Sequence, residues 1–333
     1  MNSKIDFVLP WVDGNDKAWQ EEKNKYSGKK TDSGNCPERY RDWEQLKYWF
    51  RGVEKYANWV NKIFFVTCGQ KPEWLNEKNE KLVLIEHSDY IPKEYLPTFS
   101  SHTIELNMNR IPGLSEQFVY FNDDVFIINE VKKNDFFENG LPKDDYVETV
   151  LYPYGNNDFF PYIMLNNSEL VNKNFDKRKV MRSSITKYIN PIYGFKNNLK
   201  NIFMLATPKY SSFLVSHQSS AFLKSTLNKV WDKEYDTLNE TCMHKFRTKN
   251  DVNQYIFKYW QYCEQKFLPR NSSFGINLSV SEHNDKICQT IMGNKYKTVC
   301  INDSNKIENF ELQKIIINQA FEKKFPNKSS FEK

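Results

Sequence analysis

The stretch Phe118-Val119-Tyr120-Phe121-Asn122-Asp123-Asp124-Val125 is an apolar run that stops on three carbonyl-bearing side chains. Such a run reads as a buried strand of a parallel sheet, and ligands of open α/β sheets gather outside the carboxyl ends of the strands. Two adjacent carboxylates there need a cation or strong donors, because ionised oxygens beside a core are costly to leave unpaired. A divalent metal carrying a phosphate meets that need. The structural alternative is an Asn-Asp pair that only opens a turn.

Working outward, three more apolar segments end in polar or small residues: Ile5 to Leu9, Ile63 to Thr67 and Leu82 to Ile85, which with Val119 to Phe121 predict four strands. Between the first two, Leu46, Trp49, Phe50, Val53, Ala57 and Val60 share a helix face, and Asp42 with Gln45 resembles a capping box at its start. Ser100 or Ser101 is expected to cap a helix whose Ile104, Met108 and Ile111 share a face. From about Pro142 to Pro208 the chain is rich in Asn, Tyr and Lys, is broken by Pro153, Pro161, Pro191 and Gly194, and reads as an insertion with short helices. Beyond it, Leu223, Leu227 and Val230 mark one helix, and Val252, Ile256, Tyr259 and Cys263 another with Asn250 as its expected cap. Lys297 to Asp303 is a strand ending in Asn-Asp and expected to return to the main sheet, followed by a helix carrying Ile315, Ile316 and Ala320.

The 333 residues suffice for one large domain, and 39% hydrophobic with 16% aromatic residues exclude a disordered or fibrous chain. A mean hydropathy of -0.73 reflects a wet surface rich in Asn and Lys. The 47 basic and 42 acidic residues are too balanced for a nucleic-acid binder, while a local pocket for phosphorylated small molecules, or contact with an anionic membrane surface, fits them. Cys36, Cys68, Cys242, Cys263, Cys288 and Cys300 form no CxxC pair, so reduced cytosolic thiols are expected. No apolar stretch approaches the ~20 residues of a membrane span, which makes any membrane association peripheral.

Polar clusters stand where strands stop. The first strand delivers Trp11, Asp13 and Gly14, suited to lining a base or sugar and to close backbone approach; a plain strand-to-helix turn is the alternative. The second delivers Thr67, Gly69 and Gln70. Arg41-Asp42 presents an Arg to a phosphate, or forms a surface ion pair. His217, just before a helix, is the best placed of five histidines to accept a proton near neutrality, and Arg247 sits in a basic tip that attracts phosphate. His244 and His283 lack zinc spacing and read as structural.

Taken together, these blocks resemble the Stealth family, bacterial capsular-polysaccharide phosphotransferases similar to the catalytic part of the eukaryotic N-acetylglucosamine-1-phosphotransferase. The resemblance is carried by Ile5 to Asp16, Tyr40 to Tyr48, Val53 to Ala57, Val66 to Asn76, Leu96 to Ser101, Ile104-Glu105, Phe118 to Val125, Ser216-His217, Phe246-Arg247 with Asp251, and Val299 to Asp303. All of these stand in the family's order over nearly the whole chain. The chain departs at Asp13, where many relatives carry Asn, at Tyr120-Phe121, where they carry Tyr-Leu, and at Cys68, where they carry a small or acidic residue.

The resemblance implies transfer of a sugar 1-phosphate from a nucleotide-diphosphate sugar, expected to be a UDP-sugar, to a hydroxyl of a capsular oligosaccharide or polysaccharide, with release of nucleoside monophosphate. It assigns Asn122, Asp123, Asp124, His217 and Arg247 to the catalytic centre, with Asp123 and Asp124 holding Mg²⁺ or Mn²⁺. Trp11, Asp13, Gly14, Arg41, Asp42, Thr67, Gly69, Gln70, Ser100, Ser101, Asn302 and Asp303 are expected to shape the substrate pocket. The expected fold class is α/β, Rossmann-like and GT-A-like, with a mostly parallel sheet, flanking helices and a helical C-terminal lobe. One catalytic domain is expected over 1–333: an α/β half 1–141, an insertion 142–208, a helical lobe 209–296, and a returning strand with C-terminal helix 297–333. The expected location is cytoplasmic, peripheral at the inner face of the membrane or in a capsule-assembly complex, without nucleic acid. A metal-dependent glycosyltransferase releasing nucleoside diphosphate and a non-catalytic polysaccharide-binding protein are the competing readings.

Overall fold

The computed structural model describes residues 4–27, 40–152, 158–304 and 307–333; Cys36 and Pro153 lie outside them. The strands that build the site are β1 (Ile5–Pro10), β2 (Ile63–Thr67), β3 (Leu82–Glu86), β4 (Gln117–Tyr120), β5 (Val125–Ile127), β6 (Ser220–Leu223), β7 (Gly275–Ser279) and β8 (Thr298–Asn302). The helices referred to below are α1 (Leu46–Tyr56), α2 (Ser101–Leu106), α3 (Phe160–Asn174), α4 (Phe195–Met204), α5 (Lys224–Lys233), α6 (Tyr255–Cys263) and α7 (Phe310–Lys324).

The main sheet runs β6-β4-β1-β2-β3, with β4, β1, β2 and β3 mutually parallel and β6 antiparallel at the edge. The four parallel strands coincide with the four apolar runs of the sequence; β1, β2 and β4 are covered on both faces, while the edge strand β3 leaves Leu84 exposed. Ile5, Phe7, Leu9, Phe65, Val119 and Phe121 face one core, shared with Trp49, Phe50 and Val53 of α1 and Phe321 of α7. Val8, Phe64, Val66, Phe118 and Tyr120 face a second core, built with Leu106 of α2, Leu227 of α5 and Ile256 of α6. The strand order departs from β1 in both directions, so β1 and β4 flank the point where open α/β sheets leave a crevice at the carboxyl ends.

The late strand does not rejoin the main sheet, contrary to expectation. β8 instead lies between β7, parallel, and β5, antiparallel, in a separate three-stranded sheet. The β4 edge of the main sheet is taken by β6, a four-residue strand too short to announce itself in the sequence.

Three expected caps are also corrected. Asp42 accepts from the Glu44 amide at 2.7 Å, an Asx turn, and α1 starts later with Gln45 at its amino terminus making no side-chain cap. Ser100 stands at the start of α2 without a capping bond from its side chain, and the helix stops at Leu106, where the Asn107 side-chain Nδ2 donates to the Thr103 carbonyl at 2.8 Å. Asn250 lies in the turn before α6, five residues short of its first residue, Tyr255. The region 142–208 holds short helices as expected, and also α3, which spans 15 residues.

Candidate active site

Three chain segments meet at the carboxyl end of β4, and register explains each meeting. β4 itself ends into Asn122-Asp123-Asp124. β6 pairs antiparallel with Ser220 opposite Tyr120, so the residues before Ser220 run past the residues after Tyr120. That brings His217 Nε2 to 2.8 Å from Asn122 Nδ2 and 3.5 Å from Asp124 Oδ2. β5 leaves the Asn-Asp-Asp turn and pairs with β8, Val125 opposite Cys300, so Cys300 Sγ donates to Asp124 Oδ2 at 3.4 Å. Asp124, His217 and Cys300 thus offer ligand atoms within 4.8 Å of one another, a group able to hold a metal ion.

His217 is held at φ +48°, a left-handed conformation that only a few per cent of residues other than Gly adopt, Asn, Asp and His most often. Such strain persists only where the surroundings fix it, and it collects at functional sites. The surroundings here form a polar chain running back from His217. The buried Tyr120 hydroxyl lies 2.6 Å from Asn122 Oδ1 and 3.0 Å from Glu105 Oε1, and its single proton points along the shorter contact, to Asn122. With the Asn122 oxygen turned to Tyr120, its amide nitrogen donates to His217, whose Nε2 is therefore an acceptor.

Asp123 is exposed to solvent although protein atoms crowd its carboxyl. Burial first, and the neighbouring Asp124 charge second, push its carboxyl up to about 7. Asp42 pushes the same way and Arg247 opposes them, which puts both within electrostatic reach. Arg247 also donates to Ser101 Oγ at 2.7 Å. Asp124 Oδ1 is buried and finds no hydrogen-bond donor among the described residues. The Cys300 thiol is driven well above its ordinary range by burial and by the Asp124 charge, so it stays protonated.

The expected pocket residues fall into two further groups around this centre. Gln70 ties the first two strand-end turns together, accepting from the Asp13 amide at 2.8 Å and donating to the Asp13 carbonyl and Asp16 Oδ2, both at 3.0 Å. Thr67 Oγ1 accepts from the Gly69 amide at 3.2 Å, and Gly69 takes φ +98°. Trp11 stacks one face on Phe65, ring centroids 5.8 Å apart. Gly14 packs so closely on Tyr40 that a Cβ would lie 1.7 Å from the Tyr40 carbonyl oxygen. In the second group Arg41 binds Asp303 with two nitrogens, at 3.0 and 3.2 Å, joining residues 262 positions apart. Asp42 is raised by burial first and also by the Asp13 charge, which sets these two carboxylates near each other. Asn302 Nδ2 donates to Asn277 Oδ1 at 2.5 Å and Asn302 Oδ1 lies 3.4 Å from Cys300 Sγ, while Ser100 is fully buried.

Sequence reasoning missed Cys300 as a neighbour of Asp124, the Glu105-Tyr120 support of Asn122, and the role of Asp251. The fully buried Asp251 carboxylate takes His102 Nδ1 at 2.9 Å, His244 Nδ1 at 2.7 Å and the Thr248 amide at 2.9 Å, and so braces the turn that carries Arg247. The available signal for Cys300 was its place in a strand ending in Asn-Asp.

Models of two conserved regions match the chain: Stealth protein CR1, conserved region 1, over residues 3–31, and Stealth protein CR2, conserved region 2, over residues 39–144. The capsular polysaccharide phosphotransferase WcwK of Streptococcus pneumoniae is 45% identical over 332 residues, covering 99% of this chain and 98% of that one. The receptor polysaccharide phosphotransferase WefC of Streptococcus oralis is 40% identical, covering 99% of each. The exopolysaccharide phosphotransferase cps2G of Lactiplantibacillus plantarum is 40% identical, covering 99% of this chain and 96% of that one. Among solved structures, the galactosyltransferase LgtC superposes with a TM-score of 0.42 at 10% identity, covering 98% of this chain and 96% of that one.

Proposed function

The chain belongs to the Stealth family, and from this and its site we infer that it transfers a sugar 1-phosphate from a UDP-sugar to a hydroxyl of a capsular glycan, releasing nucleoside monophosphate. The observation that carries the reading is the 2.8 Å contact between Asn122 and His217, which joins the Asn-Asp-Asp turn to a base 95 residues away. In the reaction the acceptor oxygen bonds to the sugar-bearing phosphorus and the bond from that phosphorus to the bridging oxygen breaks. The acceptor proton goes to a base.

His217 serves as that base, its Nε2 lone pair taking the acceptor proton in place of the Asn122 donor. Arg247 offsets charge on the transferred phosphoryl group from its post at Ser101. Trp11, Asp13, Gln70, Arg41 and Asp303 shape the donor pocket around them. The donor set fits a divalent cation: Asp124 Oδ1 is buried without a hydrogen-bond partner among the described residues, and the Asp123 and Asp124 carboxylates repel one another. Mg²⁺ or Mn²⁺ suits these oxygens, held by Asp123 and Asp124, whereas the protonated Cys300 thiol is a poor ligand for either. When bound, the cation neutralises diphosphate charge.

The test is incubation with a panel of nucleotide sugars, a capsule oligosaccharide and Mg²⁺ or Mn²⁺, followed by phosphorus-31 spectra. A new phosphodiester signal with stoichiometric nucleoside monophosphate is expected. Nucleoside diphosphate without a phosphodiester would instead establish glycosyl transfer.

A further inference from the structure

Helix α4 is built inside out. Its inward face carries amides: Asn201, 3% exposed, accepts from the Glu148 amide at 2.8 Å and donates to the Tyr146 and Tyr188 carbonyls at 3.1 and 2.8 Å. Asn198 accepts from the Asn190 amide at 2.9 Å, and Asn197 donates to the Tyr193 carbonyl at 3.0 Å. The outward face carries Phe195, Leu199, Ile202 and Phe203, with Phe195 82% and Phe203 69% exposed. At the helical period these four fill one arc of about 100°. Lys196 and Lys200 border that arc on one side, both exposed.

Scattered surface apolar residues are ordinary, but two exposed phenylalanines in one stripe with two aliphatic neighbours call for a cover. Charge selects the cover. Residues 177–231 contain no Asp or Glu, whereas 177–209 hold eight Lys or Arg, more than the net charge of +5 for the whole chain. Six of those eight, Arg178, Lys179, Arg182, Lys196, Lys200 and Lys209, are exposed. A short helix with an aromatic and aliphatic face edged by lysine, within a stretch of chain that holds no acidic residue, matches an anionic lipid surface: rings enter the headgroup boundary and cations stay among the headgroups.

We propose that the outward face of α4, with the surrounding basic lobe, docks the protein on anionic lipid bilayers. No described helix is long and apolar enough to cross a membrane, so the contact lies along the surface. It does not depend on the phosphotransfer reading, because no residue of α4 belongs to the site above.

The full-length protein is sedimented with vesicles of phosphatidylglycerol and phosphatidylcholine, and with phosphatidylcholine alone, at low and high salt. Binding to the anionic vesicles at least ~10-fold stronger than to neutral ones, weakened by salt, is expected. Phe195→Ser with Phe203→Ser, and separately Lys196→Glu with Lys200→Glu, should each lower it at least ~10-fold while thermal unfolding and turnover of a soluble acceptor stay unchanged. Wild-type protein that ignores anionic vesicles, or variants that bind them as wild type does, would overturn the proposal. So would a self-association that Phe203→Ser abolishes in a protein that never binds vesicles, since a second copy would then be the cover.

Discussion

At the scale of single residues, the Tyr120 hydroxyl is the least conspicuous part of the site and the most testable. It lies between Glu105 and Asn122 and touches nothing that reacts, yet it sets which end of the Asn122 amide faces His217. Tyr120→Phe keeps the ring in its core and removes only the hydroxyl. Turnover should fall about 10-fold, the cost of one lost hydrogen bond in the transition state, with KM for the donor little changed. A KM effect without a kcat effect, measured by steady-state kinetics, would place Tyr120 outside this chain of support.

Asp251 gives a pH-dependent counterpart. Burial alone would raise its pKa, but bonds from His102 and His244 outweigh burial and bring it to about 2. A carboxylate lowered in the folded state stabilises the protein above the ~3.9 of a free Asp, and that stability is lost as pH falls through about 2. Asp251→Asn should therefore cost about 3 kcal/mol at pH 6, and the gap to wild type should close toward pH 2. Urea unfolding at a series of pH values measures both. A gap that is constant from pH 6 to pH 2 would show that the charge of Asp251 contributes nothing.

Among the elements, α1 and β5 show how packing fixes the site from behind. Gly52 of α1 lies against β5 so closely that a Cβ would stand 2.5 Å from the Ile127 carbonyl oxygen. β5 begins at the residue after Asp124, so displacing it moves the Asn-Asp-Asp turn. Gly52→Ala should cost about 2 kcal/mol of stability, read by urea denaturation, and should lower turnover as well. Stability equal to wild type would mean that the helix yields without strain.

The same elements separate what was legible in sequence from what was not. The parallel strands were legible because Ile5 to Leu9, Ile63 to Thr67, Leu82 to Ile85 and Val119 to Phe121 are apolar on both faces, and α1 was legible from its periodic face. β6 was not, since Ser220 to Leu223 is a four-residue strand that leads directly into a helix. Its pairing with β4 is nevertheless what places His217. The partner of β8 was equally hidden: Thr298 to Asn302 reads as a buried strand, and nothing local chooses between the main sheet and β5. Asn122, Asp123, Asp124, His217 and Arg247 were named from residue chemistry and family pattern. Cys300, Tyr120 and Glu105 depend on antiparallel register and on packing behind the turn, which one sequence does not encode in any local run.

For the molecule as a whole, the site is assembled from the entire length of the chain. Arg41 meets Asp303, Asn122 meets His217, and Asp124 meets Cys300, contacts spanning 262, 95 and 176 positions. Groups brought together at such distance act as one unit only if the reaction uses them at the same moment, and that property is measurable. The decisive measurement is turnover of Asp124→Asn, His217→Ala and the double variant, with folding checked by thermal unfolding. Each single change should lose at least ~100-fold, and the double variant should lose little more than the worse single, because either change already disables the shared step. Losses that multiply would contradict the account, as would near-normal turnover in either single variant.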